Sequence, residues 1–251
     1  MKYSHNNEQD YIDSILKRLD LNNTYVDIGA SDGIEMSNTL FLAQRGWNGL
    51  CVEYNSSKYA SLVNNYKQFT KIKFSNEKVT PFSVCEILRK TDNPKKFDVL
   101  NLDIDGYDYF VLEALLKGEY RPTLICAEIN EKIPPPIKFT VLYDDAYSWT
   151  DAPFFGQSIE QVQMLCTTYD YSILNVEYNN VFLIDNKVDH KLSTMSSKEA
   201  WTQGYFNKPD RTTRFSFNNG FEPIYSMTPE DAINFINRAY GRHVGRYSIS
   251  L

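Results

Sequence analysis

The 251-residue sequence holds only three histidines and four cysteines, and no apolar run in it is long enough to cross a bilayer. Each shortage removes a class of function. A membrane-spanning helix needs roughly 20 consecutive apolar residues, so no membrane partner is expected. The polar start, Met1–Asp10, lacks the features of a secretory leader, which makes the cytoplasm the expected compartment. Cys51, Cys85, Cys126 and Cys166 show no Cys-x-x-Cys spacing and mostly lie in apolar segments. They read as buried thiols of a reducing compartment, not as a zinc or redox site. His5, His190 and His243 stand outside the patterned core, so a histidine base would have to come from the C-terminal part. There is no Lys/Arg run, and the formal charge is −6. Nucleic acid is therefore not an expected partner, and a small molecule is.

What the sequence does have is Tyr25-Val26-Asp27-Ile28-Gly29-Ala30-Ser31-Asp32-Gly33, an apolar β-prone run that breaks into two glycines and two aspartates. It reads as a strand ending in a ligand-binding turn, with Gly29 and Gly33 letting the backbone approach a ligand. One helical stretch later, Gly49-Leu50-Cys51-Val52-Glu53 forms a second apolar strand with an acid at its carboxyl end. In doubly wound α/β sheets ligands sit outside the carboxyl ends of the strands, and an acid there can hold both hydroxyls of a ribose. A dinucleotide would want Gly-x-Gly-x-x-Gly under its pyrophosphate. Here Asp27 and Asp32 would repel a pyrophosphate but suit a ligand carrying an ammonium and a sulfonium, which favours S-adenosylmethionine. The plain alternative is an ordinary βαβ turn with incidental glycines.

Val26–Gly33 together with Cys51–Glu53 resembles motifs I and II of class I methyltransferases, and Phe97–Asp108, containing Leu102-Asp103-Ile104-Asp105-Gly106, is similar to the FkbM-like branch. The resemblance covers Tyr25–Asp185. It implies a Rossmann-like, doubly wound seven-stranded sheet, mostly parallel with an antiparallel terminal strand, followed by a helical and irregular C-terminal extension. Residues 1–189 would be the methyltransferase domain with its N-terminal helix, and residues 190–251 an extension packed on the same domain. Cofactor contacts are implied at Asp27, Gly29, Ser31, Asp32, Gly33, Glu53, Tyr54, Asn76 and Asp103, with Asn76 at the adenine edge. For Asn76 a loop that simply leads to Pro81 is the competing reading.

Along the chain, apolar periodicity predicts helices over Asp10–Leu21, Glu35–Arg45, Ser56–Phe69, Phe82–Lys90, Tyr107–Leu116 and Gln157–Tyr169. Strands are predicted over Lys71–Phe74, Asp98–Ile104 and Thr123–Ala127, with a terminal hairpin of Tyr171–Glu177 and Val181–Asp185. Pro134-Pro135-Pro136 predicts a rigid extended segment. After it, Phe139–Phe155 reads as an irregular aromatic loop, suited either to stacking on a sugar beside Asp144 and Asp145 or to pinning itself to the surface. Ser196-x-x-Glu199 and Thr228-Pro229-Glu230-Asp231 are helix starts, and Ala232, Ile233, Phe235, Ile236 and Tyr240 give the last helix an apolar side.

The fourth and fifth strands end at Asp103 and Glu128, and adjacent strands lie about 4.8 Å apart, so these carboxylates can meet. Like charges that close need a shared proton or a cation. Asp103, Glu128 and Asn130 are hard oxygen donors of the kind Mg²⁺ or Mn²⁺ prefers, and the resemblance to metal-dependent O-methyltransferases points the same way. Asp105 is a further ligand or base candidate. The metal-free account makes Asp103, Asp105 or Glu128 a general base, while the bland account makes Asp105-Gly106 a turn and Asp103 a helix cap. The Asn/Asp-Pro-Pro-aromatic signature of nucleic-acid amino methyltransferases is absent, and the resemblance therefore implies O-methylation. The implied acceptor is a nucleotide-linked or otherwise activated sugar of bacterial surface polysaccharide, such as a capsule heptose. A homodimer stays open. The rival from another class is a binding or scaffold protein that kept the fold and the cofactor site but lost turnover, and a dehydrogenase is a distant third.

Overall fold

In the computed structural model the described residues are 2–150, 153–189 and 191–251. The elements run α1 Glu8–Leu16, β1 Thr24–Ile28, α2 Leu40–Gln44, β2 Asn48–Val52, α3 Ser56–Asn65, β3 Ile72–Ser75, α4 Val84–Lys90, β4 Lys96–Leu102, α5 Asp108–Lys117 and β5 Arg121–Glu128. They continue with β6 Lys138–Val141, α6 Ile159–Tyr169, β7 Tyr171–Glu177, β8 Asn180–Asp185, α7 Ser197–Trp201, α8 Arg211–Arg214, α9 Pro229–Ala239 and β9 Tyr247–Ser250. Seven strands order as β3-β2-β1-β4-β5-β8-β7, a Rossmann-like doubly wound sheet that is parallel from β3 to β5 and ends in the β7–β8 hairpin. β1 and β4 read as apolar runs because parallel strands between helical layers are buried on both faces.

The register has a direct consequence for chemistry. Ile28 pairs with Val52 and with Leu102, Val52 pairs with Ser75, and Leu102 pairs with Ala127. The next residue on each of these strands of the first unit is then Gly29, Glu53, Asn76 and Asp103, one row along the carboxyl edge.

The chain divides into two compact units whose pieces alternate along the sequence and do not meet once at residue 189. The first comprises residues up to Ile104, Val111–Ala127 and Ile184–Leu192; the second comprises Asp105–Phe110, Glu128–Leu183 and Ser193–Leu251. The second unit has its own core, in which Ile133, Ile137, Phe139, Val141 and Phe154 pack with Phe221, Ile224, Ala232, Ile236 and Tyr240. The apolar side expected of the last helix is therefore buried in that core, and the helix starts as expected, with Thr228 capping Asp231 N and Pro229 in its first turn. The Ser196–Glu199 capping box is likewise present.

Three local expectations need correction. The helix expected over Glu35–Arg45 shrinks to Leu40–Gln44, because Met36 adopts φ +56° and the 34–39 stretch is irregular. The three prolines do not stay extended: Ile137 N donates to Pro134 O at 3.0 Å, closing a turn around a cis Pro135–Pro136 bond. Phe139–Phe155 is not wholly irregular, since Lys138–Val141 is β6, which pairs antiparallel with β9. β9 itself, Tyr247-Ser248-Ile249-Ser250, alternates apolar and polar residues but was not among the expected strands. Of the three histidines, His190 lies outside the described residues, and His243 stacks flat on Phe154 with centroids 3.9 Å apart.

Candidate active site

In the first unit, the turn after β1 is built as a close crossing of backbones. Gly29 has φ +87°, and a Cβ placed there would lie 1.7 Å from the carbonyl oxygen of Asp103. Asp103 N in turn donates to Ile28 O at 3.0 Å, and the Gly29 and Ala30 amides both reach Val52 O. Gly33, at φ +78°, lets Leu62 and Tyr66 pack where a Cβ would be, 2.4 Å from Tyr66 Cε2. The glycines were expected to bring the backbone up to a ligand. In the structure they first admit other parts of the protein, and the sequence could not separate these uses because both need a missing Cβ.

Asp27 is turned inward. Thr39 Oγ1 donates to its Oδ2 at 2.6 Å and Asn101 Nδ2 to its Oδ1 at 2.8 Å, while Asn38 Nδ2 donates on to Asn101 Oδ1 at 3.0 Å. Burial pushes its pKa up, and the two hydrogen bonds pull against that. With 3 % of its surface exposed, it ties the end of β1 to β4 and to the start of α2 and is not presented to a ligand's ammonium. Asp32 also acts locally: its Oδ1 accepts from the Ile34 and Glu35 amides, each at 2.9 Å. Asn76 spends its amide hydrogens on Glu53 O and Tyr54 O, at 2.8 and 3.1 Å, and Ser56 Oγ donates to its Oδ1. In the structure it shapes the loop after β2.

Glu53 holds the centre of this region. Its Oε2 accepts from Ser31 N at 2.9 Å and its Oε1 from Asn55 N at 2.6 Å. A carboxylate has about four lone-pair sites, so two oxygens that each accept one amide still have one direction apiece for a diol. Tyr54 beside it is 65 % exposed, with Lys78 Nζ over its ring 5.8 Å from the centroid. Ser31 enters through its backbone amide, at φ +51°, and not through its hydroxyl.

In the second unit, the carboxylates of Asp105 and Glu128 approach within 4.8 Å. Asp105 takes φ +55°, Gly106 N donates to Asp108 Oδ2 at 2.9 Å, and α5 starts at Asp108. Glu128 is 5 % exposed, and Asn179 Nδ2 donates to its Oε1 at 3.2 Å. Asp103 stands two residues before Asp105 at the end of β4. Two hard oxygen donors this close suit Mg²⁺ or Mn²⁺, so the donor set fits such an ion. Asn130 does not belong to it. Its Oδ1 accepts from Lys132 Nζ at 2.8 Å and its Nδ2 donates to Phe155 O at 2.8 Å, which leaves the side chain committed and fully buried.

Sequence reasoning missed Lys132, Asn179, Asn38 and Asn101. Lys132 is buried, with its ammonium 4.3 Å from the Phe155 ring centroid. Burial pulls its pKa down to about 8, against the opposing pull of Glu131 and Glu128. A lysine between an acid and three prolines looks like an exposed loop residue, so only packing reveals it. Asn101 lay inside the quoted Phe97–Asp108 run, and its strand position next to Asp27 was the available signal.

Neither a family model nor a curated protein matches the sequence. Solved structures do. A SAM-dependent methyltransferase from Aquifex aeolicus matches with 8 % identity and a TM-score of 0.42, over 72 % of this chain and 90 % of that one. The M. capricolum TrmK in complex with S-adenosyl-homocysteine matches with 13 % identity and a TM-score of 0.42, over 92 % and 96 %. The N-terminal domain of EvdMO1 with SAH bound matches with 10 % identity and a TM-score of 0.44, over 71 % and 80 %. Likeness at this level says nothing of activity.

Proposed function

We propose that this chain transfers a methyl group from S-adenosylmethionine to a hydroxyl of a small molecule. The observation that supports this most is the edge row of the first unit: a glycine turn after β1, a backbone-anchored Glu53 after β2, and Asp103 after β4. All follow from one strand register in a β3-β2-β1-β4-β5-β8-β7 sheet. The doubly wound rule puts a nucleoside ligand at that edge. Glu53 would accept both ribose hydroxyls while the Ser31 and Asn55 amides hold its carboxylate in place, and Tyr54 would offer a face of its ring to the adenine.

The acceptor hydroxyl is a poor nucleophile at neutral pH, and Asp105 and Glu128 answer that need, with Asp103 two residues from Asp105. If Mg²⁺ or Mn²⁺ is bound, these acids would hold it, and the ion would lower the hydroxyl's pKa and fix it for in-line attack. Without an ion, one of these carboxylates takes the hydroxyl proton as general base. Amino methylation of nucleic acid lacks its signature here, so O-methylation is the better reading. An activated sugar of surface polysaccharide is the acceptor we favour, on sequence resemblance alone. Both substrates are those of a cytoplasmic enzyme.

Titration calorimetry with S-adenosylmethionine and S-adenosylhomocysteine tests the core of this reading: micromolar binding is expected, and no binding at millimolar concentration would sink it. NAD binding in the same instrument would revive a dehydrogenase. Once an acceptor is found by mass-spectrometric screening of nucleotide sugars, turnover should vanish in a chelator and return with Mg²⁺ or Mn²⁺, while cofactor binding survives. Full turnover in the chelator would leave the general-base account. Cofactor binding without turnover on any acceptor would favour the scaffold reading.

A further inference from the structure

We infer that Asn179 is a positioning residue for the Glu128 carboxylate and that the 202–214 segment clamps it in place. This inference rests on Glu128 serving the proposed methyl transfer. Asn179 occupies the two-residue turn between β7 and β8 and grips the end of β5 twice. Its Nδ2 donates to Glu128 Oε1 at 3.2 Å, and its backbone oxygen accepts from Ile129 N at 2.8 Å. Gln157 Nε2 donates to Glu128 O on the same stretch, so the backbone that carries the carboxylate is itself held.

A turn this short needs unusual backbone, and its other residue, Tyr178, has φ +52°. For a large aromatic residue the left-handed region is costly, and such a residue persists only where its surroundings over-determine it. Here they do. Tyr178 N donates to Gly204 O at 3.0 Å and its hydroxyl donates to Asp210 Oδ1 at 2.5 Å. Lys208 Nζ and Arg214 Cζ lie 4.8 and 5.0 Å from its ring centroid. Lys208 Nζ also donates to Glu177 Oε2 at 2.8 Å. Gly204 admits this contact because a Cβ there would lie 2.0 Å from Val176 O. The C-terminal segment, which carries no acid or base of the proposed reaction, thus reaches the chemistry through one strained turn.

The test compares wild type with Asn179→Ala, Asn179→Asp and Asp210→Ala in the full chain. Asn179→Asp keeps the size and removes the donor. Crystal structures read the effect directly: in both Asn179 variants the Glu128 carboxylate should leave its position by more than about 1 Å, with β7 and β8 unmoved. Binding of Mn²⁺ alone, followed by its paramagnetic resonance signal, should weaken about tenfold in Asn179→Ala, as is usual for loss of a ligand's hydrogen-bond partner. In Asp210→Ala the loss should be severalfold smaller. S-adenosylmethionine binding should stay within twofold of wild type in all three variants, which a general loss of structure would not allow. An unmoved Glu128 carboxylate in Asn179→Ala overturns the inference, and so does Mn²⁺ binding within twofold of a binding-competent wild type. A wild type that binds neither S-adenosylmethionine nor Mn²⁺ instead refutes the proposed function, and the crystal structures then judge the inference alone.

Discussion

Two regions of the molecule, one in each compact unit, are built on opposite plans. Around Gly29, Glu53 and Asn76 the determinants are backbone: glycines with positive φ, amides on a carboxylate, an asparagine spent on carbonyls. Around Asp105 and Glu128 they are side chains ordered from far along the chain, with Asn179 donating to Glu128 and Lys132 holding the neighbouring Asn130. A backbone-built region tolerates changes in side chains that it does not use and fails outright where a Cβ intrudes. A region built from side chains should degrade by steps, each set by the burial of the group removed.

The sharpest test of this contrast is Gly29→Ala. The added methyl collides with a backbone oxygen, which cannot rotate away, at a φ that alanine rarely adopts. A destabilisation of about 4 kcal/mol or more is expected, at the exceptional end for a point change, seen as a collapse of the thermal unfolding midpoint or as insoluble protein. A midpoint within a few degrees of wild type would show that the β1 and β4 backbones can part.

The next largest effect belongs to the second region and is one of pH. Lys132, normally near 10.5, is pulled down to about 8 by burial, so between those values the unfolded chain binds the extra proton and the folded chain does not. Stability therefore rises with pH across that window, and the cost is fully present below pH 8. Relative to Lys132→Met, whose profile lacks this group, wild type should gain on the order of 3 kcal/mol between pH 7.5 and 10. Parallel denaturation profiles for the two proteins would mean that the ammonium is solvated. Glu53→Ala returns to the first region with a smaller effect: loss of a charged acceptor for two hydroxyls should weaken S-adenosylmethionine binding by about 2 kcal/mol, roughly 30-fold. Wild-type affinity there would remove Glu53 as the ribose ligand.

By itself the sequence determined the strands and their ends. The apolar runs ending at Ile28, Val52 and Leu102 each stop at a polar or glycine residue, because parallel strands are buried on both faces, so Gly29, Glu53 and Asp103 were legible as strand ends, while the strand order came from the resemblance to methyltransferases. So were the caps of α7 and α9, because a helix start is a local matter of one side chain and one amide. Tertiary structure alone decided which polar groups remain to face a ligand. Asp27, Asn76 and Asn130 have the right chemistry at the right positions, yet Thr39, Asn101, the carbonyls of Glu53 and Tyr54, and Lys132 had already engaged them. A buried donor or acceptor takes whatever partner the fold brings within about 3 Å, and that choice depends on residues dozens of positions away, which no local pattern encodes. The same reason hid Asn179, whose part in the site comes entirely from the hairpin that delivers it to Glu128.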